Sequence, residues 1–305
     1  MARIKIKMKQ IYKIIIFIII VALIFSALFF LLPARKADDG SARIIEKENP
    51  FLGLNLEAKS VYVFDIAKNK PIFEINKNIQ LPLASIVKVM TATVALSEAS
   101  PGSLVEISAE SIMEEGDDKL LVGERWKLSD ILDFTVVKSS NDGASAVSSA
   151  VSAFSFGGDK ENFIDKMNEV AGEIGLEQTY FLNETGLDLN KNISGAYGSA
   201  EDMAKLFIYV LKNNPRIFDA TQYPTLTVSS KEVTHNIVNS DSLTASVSGI
   251  VASKTGYTDL AGGNLAVVFD AGFMHPVVAV VLGSSQAGRF EDMKKLMETT
   301  LESLR

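Results

Sequence analysis

Strand-forming segments occupy both ends of this chain and helix-forming segments its middle, and that order restricts the folds open to it. Val61-Tyr62-Val63-Phe64-Asp65-Ile66 and Ile72-Phe73-Glu74-Ile75 are rich in β-branched and aromatic residues. The turn-forming Lys68-Asn69-Lys70-Pro71 lies between them, so a hairpin is expected. Helical spacing follows from Ser85 to about Glu98, over Ser129–Val137, from Asp142 to about Ala153, over Glu161–Ile174 and over Ser199–Leu211. Ser199-x-x-Asp202 resembles a capping box, with Asp where Glu or Gln is usual. From Thr225 onward strand signals return, at Leu226-Thr227-Val228, Gly249–Ala252, Leu265–Phe269 and Val277–Leu282. The last segment carries Phe290, Met293, Leu296, Met297, Leu301 and Leu304 on one side. Its polar side mixes acids and lysines, so it is expected to pack on a sheet rather than lie on a membrane. The pattern predicts one α+β domain over residues 58–305, with an antiparallel sheet built from both ends of the chain, flanked by helices, and a helical lobe inserted between.

The N-terminal stretch stands apart from that domain. Ile14 to Leu32 is a run of nineteen residues broken only by Ser26, and Arg3, Lys5, Lys7, Lys9 and Lys13 precede it with no acidic residue. At ~1.5 Å per residue the run is long enough to cross most of a ~30 Å hydrocarbon core. The charge bias predicts a basic cytoplasmic segment over residues 1–13, a transmembrane helix over 14–32, a polar linker over 33–57 and an extracytoplasmic domain beyond. The run exceeds the ~7–15 residues of a signal-peptide core, and Pro33-Ala34-Arg35 lacks small-x-small cleavage chemistry, so an uncleaved single-pass anchor in the cell membrane is expected.

Removing that stretch changes the charge balance. Of 30 basic residues seven lie in residues 1–36, which leaves 23 basic against 37 acidic in the rest, a net charge of −14. So acidic a domain is a poor partner for nucleic acid. The chain has no cysteine and only two histidines, His235 and His275, which excludes disulfides and thiol nucleophiles and leaves little for a His-based triad or zinc site. Acid–base chemistry must then come from lysine or carboxylates. Ser85-Ile86-Val87-Lys88 places a hydroxyl and an amine about one turn apart at the start of a helix, the layout of an activated nucleophile.

Two more motifs follow in order, Ser139-Ser140-Asn141 in a loop between helices and Lys254-Thr255-Gly256 at the end of a strand-forming segment. Ser-x-x-Lys, Ser-x-Asn and Lys-Thr-Gly are the active-site elements of penicillin-binding proteins and serine β-lactamases. Phe181-Leu182-Asn183-Glu184-Thr185-Gly186-Leu187-Asp188 and Tyr257-Thr258-Asp259-Leu260-Ala261-Gly262-Gly263-Asn264 extend the match. On these stretches the chain resembles the D-alanyl-D-alanine carboxypeptidases of the low-molecular-mass penicillin-binding class, the S11 serine peptidases. The Phe-x-Asn-x-x-Gly-Leu-Asp stretch separates that family from the β-lactamases.

The chemistry of the residue types assigns roles that agree with the resemblance. Ser85 attacks the carbonyl of the penultimate D-Ala, and Lys88 takes its proton, which requires burial and a nearby cation such as Lys254 to lower the lysine pKa. Ser139 passes protons, and Asn141 holds the substrate amide. Lys254 and Thr255 suit the terminal carboxylate, and Gly256 lets a peptide lie against the strand. The resemblance implies an oxyanion hole from the main-chain N–H groups of Ser85 and Tyr257, a β-lactamase/transpeptidase-like fold, peptidoglycan stem peptides as substrate and β-lactams as covalent inhibitors. No metal or organic cofactor is called for. The same machinery serves a DD-endopeptidase on cross-links, and, less favoured, a β-lactamase using Glu184 or a silent β-lactam or cell-wall sensor. In two places the chain departs from the family's pattern. Four residues, Ile250 to Ser253, separate Gly249 from Lys254, and His275-Pro276 stands at the start of the last strand, where relatives carry a carboxylate-binding arginine. Relatives also carry a β-rich stalk and a C-terminal amphipathic anchor; here the N-terminal span is expected to do the anchoring.

Overall fold

The computed structural model describes Lys13, residues 15–24, Ser26, residues 49–116 and residues 118–304. Two units separate, residues 1–48 and 49–305. In the first, the described residues are helical and exposed. The remainder of the expected Ile14–Leu32 span, and nearly all of the basic segment before it, lie outside the described residues. Among the described residues no helix is long and apolar enough to cross a membrane.

In the second unit packing begins upstream of residue 58, because Phe51 is buried and stacks on Phe73 with ring centroids 4.6 Å apart. The expected hairpin is β1 (Ser60–Asp65) and β2 (Lys70–Ile75). Its β1 joins three strands from the other end of the chain, β10 (Ile250–Thr258), β11 (Gly262–Asp270) and β12 (Pro276–Ser284), in the order β10-β11-β12-β1-β2. Every pairing is antiparallel, as with Val63 opposite Ala279 and Val267 opposite Ala279.

Side chains alternate across this sheet with period two, and both faces are covered. Tyr62, Ala252, Ala266, Val268, Val278, Val280 and Leu282 face the helical lobe. Val61, Val63, Leu265, Val267, Phe269, Ala279 and Val281 face the C-terminal helix with its Met293, Leu296 and Met297. Two-sided burial explains why the last strands read as nearly continuous apolar runs.

The lobe contains α1 (Lys88–Glu98), α2 (Leu128–Lys138), α3 (Asn141–Ser155) and α4 (Lys160–Ile174), with α5 (Ala200–Asn213), the short α6 (Arg216–Asp219) and α7 (Gly288–Leu304) after it. Caps set their starts: Ser140 Oγ accepts from Gly143 N at 2.9 Å, and Ser199 Oγ accepts from Asp202 N at 3.1 Å. Only half of the expected capping box forms. The Asp202 carboxylate is one methylene too short to reach back and instead accepts from Gln178 N at 2.7 Å and Thr179 Oγ1 at 3.0 Å. The remaining strands form small antiparallel sheets: β3 (Leu81–Pro82) with β7 (Ala196–Gly198) and β6 (Tyr180–Phe181), β4 (Leu104–Glu106) with β5 (Arg125–Lys127), and β8 (Thr225–Ser229) with β9 (Thr234–Val238). The Leu226-Thr227-Val228 strand thus pairs in its own hairpin and not in the main sheet.

Candidate active site

The site forms where the lobe meets the edge strand β10. Ser85 does not start α1. It lies in a 3-10 turn, Ala84–Val87, that leads into that helix. Leu83 N donates to Ala196 O at 3.1 Å, and Asn264 Nδ2 donates to Pro82 O at 2.9 Å, so the turn is pinned from both sides. Ala84 is held at φ +49°, a left-handed conformation uncommon for a side-chain-bearing residue. Two glycines make room for it. A Cβ on Gly186 would lie 2.1 Å from Ala84 O, and one on Gly256 would lie 2.8 Å from Leu83 O and 3.2 Å from Ser85 N. Gly256 therefore permits close packing of the nucleophile turn against β10, a contact additional to its expected place beside a peptide substrate.

Lys88, the first residue of α1, is fully buried and reaches three oxygens. Its Nζ lies 2.9 Å from Ser85 Oγ, 2.7 Å from Asn141 Oδ1 and 2.6 Å from Thr185 O. Two of these partners can only accept, and the hydroxyl can donate. A neutral amine, with two hydrogens and one lone pair, satisfies all three when Ser85 is the donor. Burial pushes the Lys88 pKa down to about 7, while the carboxylates of Asp118, Glu184 and Glu114 pull it up. The expected agent of the shift was burial with a second cation; here burial leads and the cation's effect falls on the partner.

That partner is Lys254, also buried, whose Nζ donates to Ser139 Oγ at 2.7 Å and to Thr255 O at 2.8 Å. Burial lowers its pKa well below the usual lysine value, and Lys88 and Arg289 lower it further. Each buried amine thus disfavours a full charge on the other, on top of the cost of burial. Ser139, which caps the end of α2, is itself left-handed at φ +69°, and this turns its hydroxyl towards Lys254. Two residues on, Asn141 opens α3, its Nδ2 donating to Glu115 O at 2.6 Å and its N–H to Asp118 Oδ2 at 3.0 Å. Thr255 Oγ1 donates to Ser240 Oγ at 2.7 Å. Tyr257 follows on the same strand with its side chain exposed.

All eight expected residues thus come to one cleft, five of them in two hydrogen-bonded groups: Lys88 with Ser85 and Asn141, and Lys254 with Ser139. His275 does not join them. Its Nε2 is 2.8 Å from Asp65 Oδ2, at the start of β12. The end of that strand approaches the site instead, since Gly283 N donates to Asn264 Oδ1 and Asn264 pairs with Gly256. Eight residues of strand, roughly 26 Å at ~3.3 Å each, separate the two. The guanidinium beside the Lys-Thr-Gly strand belongs to Arg289 of α7, which donates to Gly256 O at 2.8 Å. Sequence reasoning missed Arg289, the Thr185 carbonyl, Ser240, Asp118 and the main chain of Glu115. Thr185 and Gly186 lie in the Phe181–Asp188 stretch, but their use is visible only when that loop is laid against Lys88 and Ala84.

The family model for D-alanyl-D-alanine carboxypeptidases matches residues 45–286. The D-alanyl-D-alanine carboxypeptidase DacF of Bacillus subtilis is 30% identical over 235 residues, 75% of this chain and 58% of the relative. A D-alanyl-D-alanine endopeptidase of Pseudomonas aeruginosa is 29% identical over 228 residues, 70% of this chain and 68% of its own. Penicillin-binding protein D2 of Listeria monocytogenes, in its ampicillin-bound form, shares the fold with TM-score 0.67 at 24% identity, over 81% of this chain and 98% of that one. The chain spans less than two thirds of the length of the Bacillus relative.

Proposed function

This chain belongs to the D-alanyl-D-alanine carboxypeptidase family, and from that premise we propose that it is a serine peptidase that removes the terminal D-Ala from peptidoglycan stem peptides. The observation that carries the reading is the buried Lys88 amine on Ser85 Oγ, with Asn141 and Thr185 taking its hydrogens. Ser85 gives its proton to Lys88 as Oγ bonds to the carbonyl carbon of the penultimate D-Ala. The oxyanion of the tetrahedral intermediate is held by the N–H groups of Ser85 and Tyr257, in the manner of the family; one such donor is worth ~10²–10³ in rate. When the C–N bond breaks, the proton returns from Lys88 to the leaving amine, and the Ser139–Lys254 pair stands beside that path. Lys254 and Thr255 hold the terminal carboxylate, whose negative charge favours the ammonium form of Lys254. Water then attacks the acyl ester by the same steps in reverse, with Lys88 as base, and frees Ser85.

A second reading shares every step. The endopeptidase name of the Pseudomonas relative favours cleavage of D-Ala cross-links by the same serine. The ampicillin-bound fold relative supports β-lactams as covalent inhibitors here. Single-pass anchoring, with the domain extracytoplasmic, is supported by the apolar run 14–32 and the seven basic residues in the acid-free 1–36 stretch.

The test is intact mass of the full chain with penicillin over time, beside Ser85→Ala, followed by D-Ala release from a pentapeptide and splitting of a cross-linked dimer into its two peptides. A long-lived adduct on the native chain alone, with D-Ala release, is expected. Splitting of the dimer without D-Ala release from the pentapeptide selects the endopeptidase. Rapid turnover of the drug makes the protein a β-lactamase, and absence of any adduct removes Ser85 as nucleophile. Protease accessibility of the domain in intact cells tests the topology; protection from external protease would overturn it.

A further inference from the structure

The loop that lends its Thr185 carbonyl to Lys88 is tied down by a residue the mechanism leaves unused. Glutamate is seldom buried in a folded protein unless it is paired. Glu184 is only 8% exposed, and among the described residues it enters no ion pair within 4 Å. Its carboxylate Oε1 instead accepts from Ser148 Oγ of α3 at 2.8 Å, and its main-chain O accepts from Thr91 Oγ1 of α1 at 2.7 Å. The next residue places its carbonyl 2.6 Å from Lys88 Nζ, and the one after, Gly186, lies against Ala84. Asn183 closes the same loop on itself, its Oδ1 accepting from Gly186 N at 2.7 Å and its Nδ2 donating to Leu187 O at 2.9 Å. Asn183 thus shapes the loop, while Glu184 fastens it to the two helices that begin with Lys88 and Asn141.

Glu184 also brings a negative charge to the base. The charges that act on Lys88 come from several elements. Asp118 and Glu114 belong to the loop after the 3-10 turn Ser111–Met113, Glu184 to its own loop and Lys254 to β10. Lys160 of α4 is 3.4 Å from Glu110 and 3.4 Å from Ser145 Oγ, and its charge bears on Glu114. Burial first, then the charge of Glu184, push the Glu114 carboxyl up. A carboxylate near a neutral amine does little until the amine takes a proton; the ammonium formed as Ser85 is acylated then meets a charge already in place. An interaction that strengthens as the reaction proceeds lowers the barrier.

We propose that Glu184 is a positioning residue for the base: it fixes the carbonyl that holds the Lys88 amine and sets beside that amine the negative charge that stabilises its ammonium form during acylation. The inference deepens the peptidase reading above and rests on it. It is tested by stopped-flow acylation with a penicillin from pH 5 to 9, on the full-length native chain, Glu184→Gln and Ser148→Ala, with D-Ala release measured beside it. Glu184→Gln keeps an oxygen for Ser148 and loses only the charge. Its rising limb should move about one unit towards acid pH, because the amine becomes neutral sooner. Its plateau above pH 8 should fall ~3–10-fold, because the amine is then a weaker base. Ser148→Ala keeps the charge and loosens the loop, so it should slow acylation alike at every pH with the limb in place. The position of the limb does not depend on how much of a variant is folded, so a loss of stability cannot imitate the shift.

An unmoved limb in Glu184→Gln would overturn the proposal, and so would the same displacement in Ser148→Ala. A longer-lived adduct in Glu184→Gln with the acylation limb unmoved would overturn it in favour of Glu184 as a base for deacylation. Absence of an adduct on the native chain would remove both the peptidase and the role of Glu184. A limb that moves as expected in a chain that releases no D-Ala would uphold Glu184 and overturn the peptidase.

Discussion

Lys88 carries the most chemistry per atom in this protein, and its environment makes two predictions. A base must be neutral, and burial brings the Lys88 pKa to about 7. Acylation of Ser85 by a penicillin should therefore rise with pH through about 7, because below that value the amine holds the proton it must accept. A rate flat from pH 5 to 9 would show that Lys88 is not the base. Asn141→Asp tests the electrostatics in the opposite sense. A carboxylate on the 2.7 Å contact favours the ammonium form, so the rising limb should move to roughly pH 8–9, with the rate at pH 7 lower by ~10-fold or more. An unmoved limb would mean that Asn141 only positions substrate. Asn141, Lys88 and Ser85 were all identifiable from residue type and spacing. The Thr185 carbonyl was not, since a main-chain acceptor leaves no mark on the residue that supplies it.

Among elements, the nucleophile turn has the least freedom. Its left-handed Ala84 is kept in place by the close approach of the Gly186 loop and of β10. Gly186 itself is at φ +81°, and an added Cβ would overlap Ala84 O, main chain that cannot swing away. Gly186→Ala should cost about 2 kcal/mol or more in stability and slow acylation by ~10² or more, as Ser85 leaves its place beside Lys88. Denaturant unfolding and stopped-flow acylation read the two effects, and an unchanged acylation rate would show that the loop does not support the turn. At α5 the cap is a simpler device: Ser199→Ala should cost ~1 kcal/mol with acylation unchanged, because only the Asp202 N–H loses its partner. Helix starts of this kind are legible in sequence because Ser and Asp act within three residues. At Ser85 helical spacing predicts the first turn of a helix, and the chain instead makes a 3-10 turn. Its conformation is imposed by the Gly186 loop and by strand β10, about 100 and 170 residues further along the chain.

At the scale of the molecule, the main sheet is a wall with two cores. One face is closed by the helical lobe that brings Lys88, Ser139 and Asn141, and the other by α7. α7 also sends Arg289 to Gly256 O. Leu296, fully buried on the far face, should cost ~2–5 kcal/mol when replaced by alanine, chiefly through the cavity left behind. Well below the melting temperature the folded fraction should acylate at the native rate, since Leu296 touches no catalytic group. Thermal unfolding and acylation at 20 °C are the two measurements. A loss near zero would mean that α7 is not docked as described. The amphipathic C-terminal segment predicted this packing, because mixed charge on its polar side suits water.

Local rules acting over a few residues determined much of this protein in advance. Strand and helix order, the Ser-x-x-Lys pair, the caps and the α+β class all follow from short-range sterics and hydrogen bonding. Tertiary structure alone decided what depends on distances between remote segments. It laid Lys254 against Ser139, 115 residues away, put Gly186 and Gly256 against Ala84 and Ser85, placed Arg289 beside the Lys-Thr-Gly strand, and sent His275 to Asp65 at the other end of the sheet. The physical reason is burial. A lysine reads as a charged surface residue in a sequence, and only the packed fold removes the water that would keep it protonated.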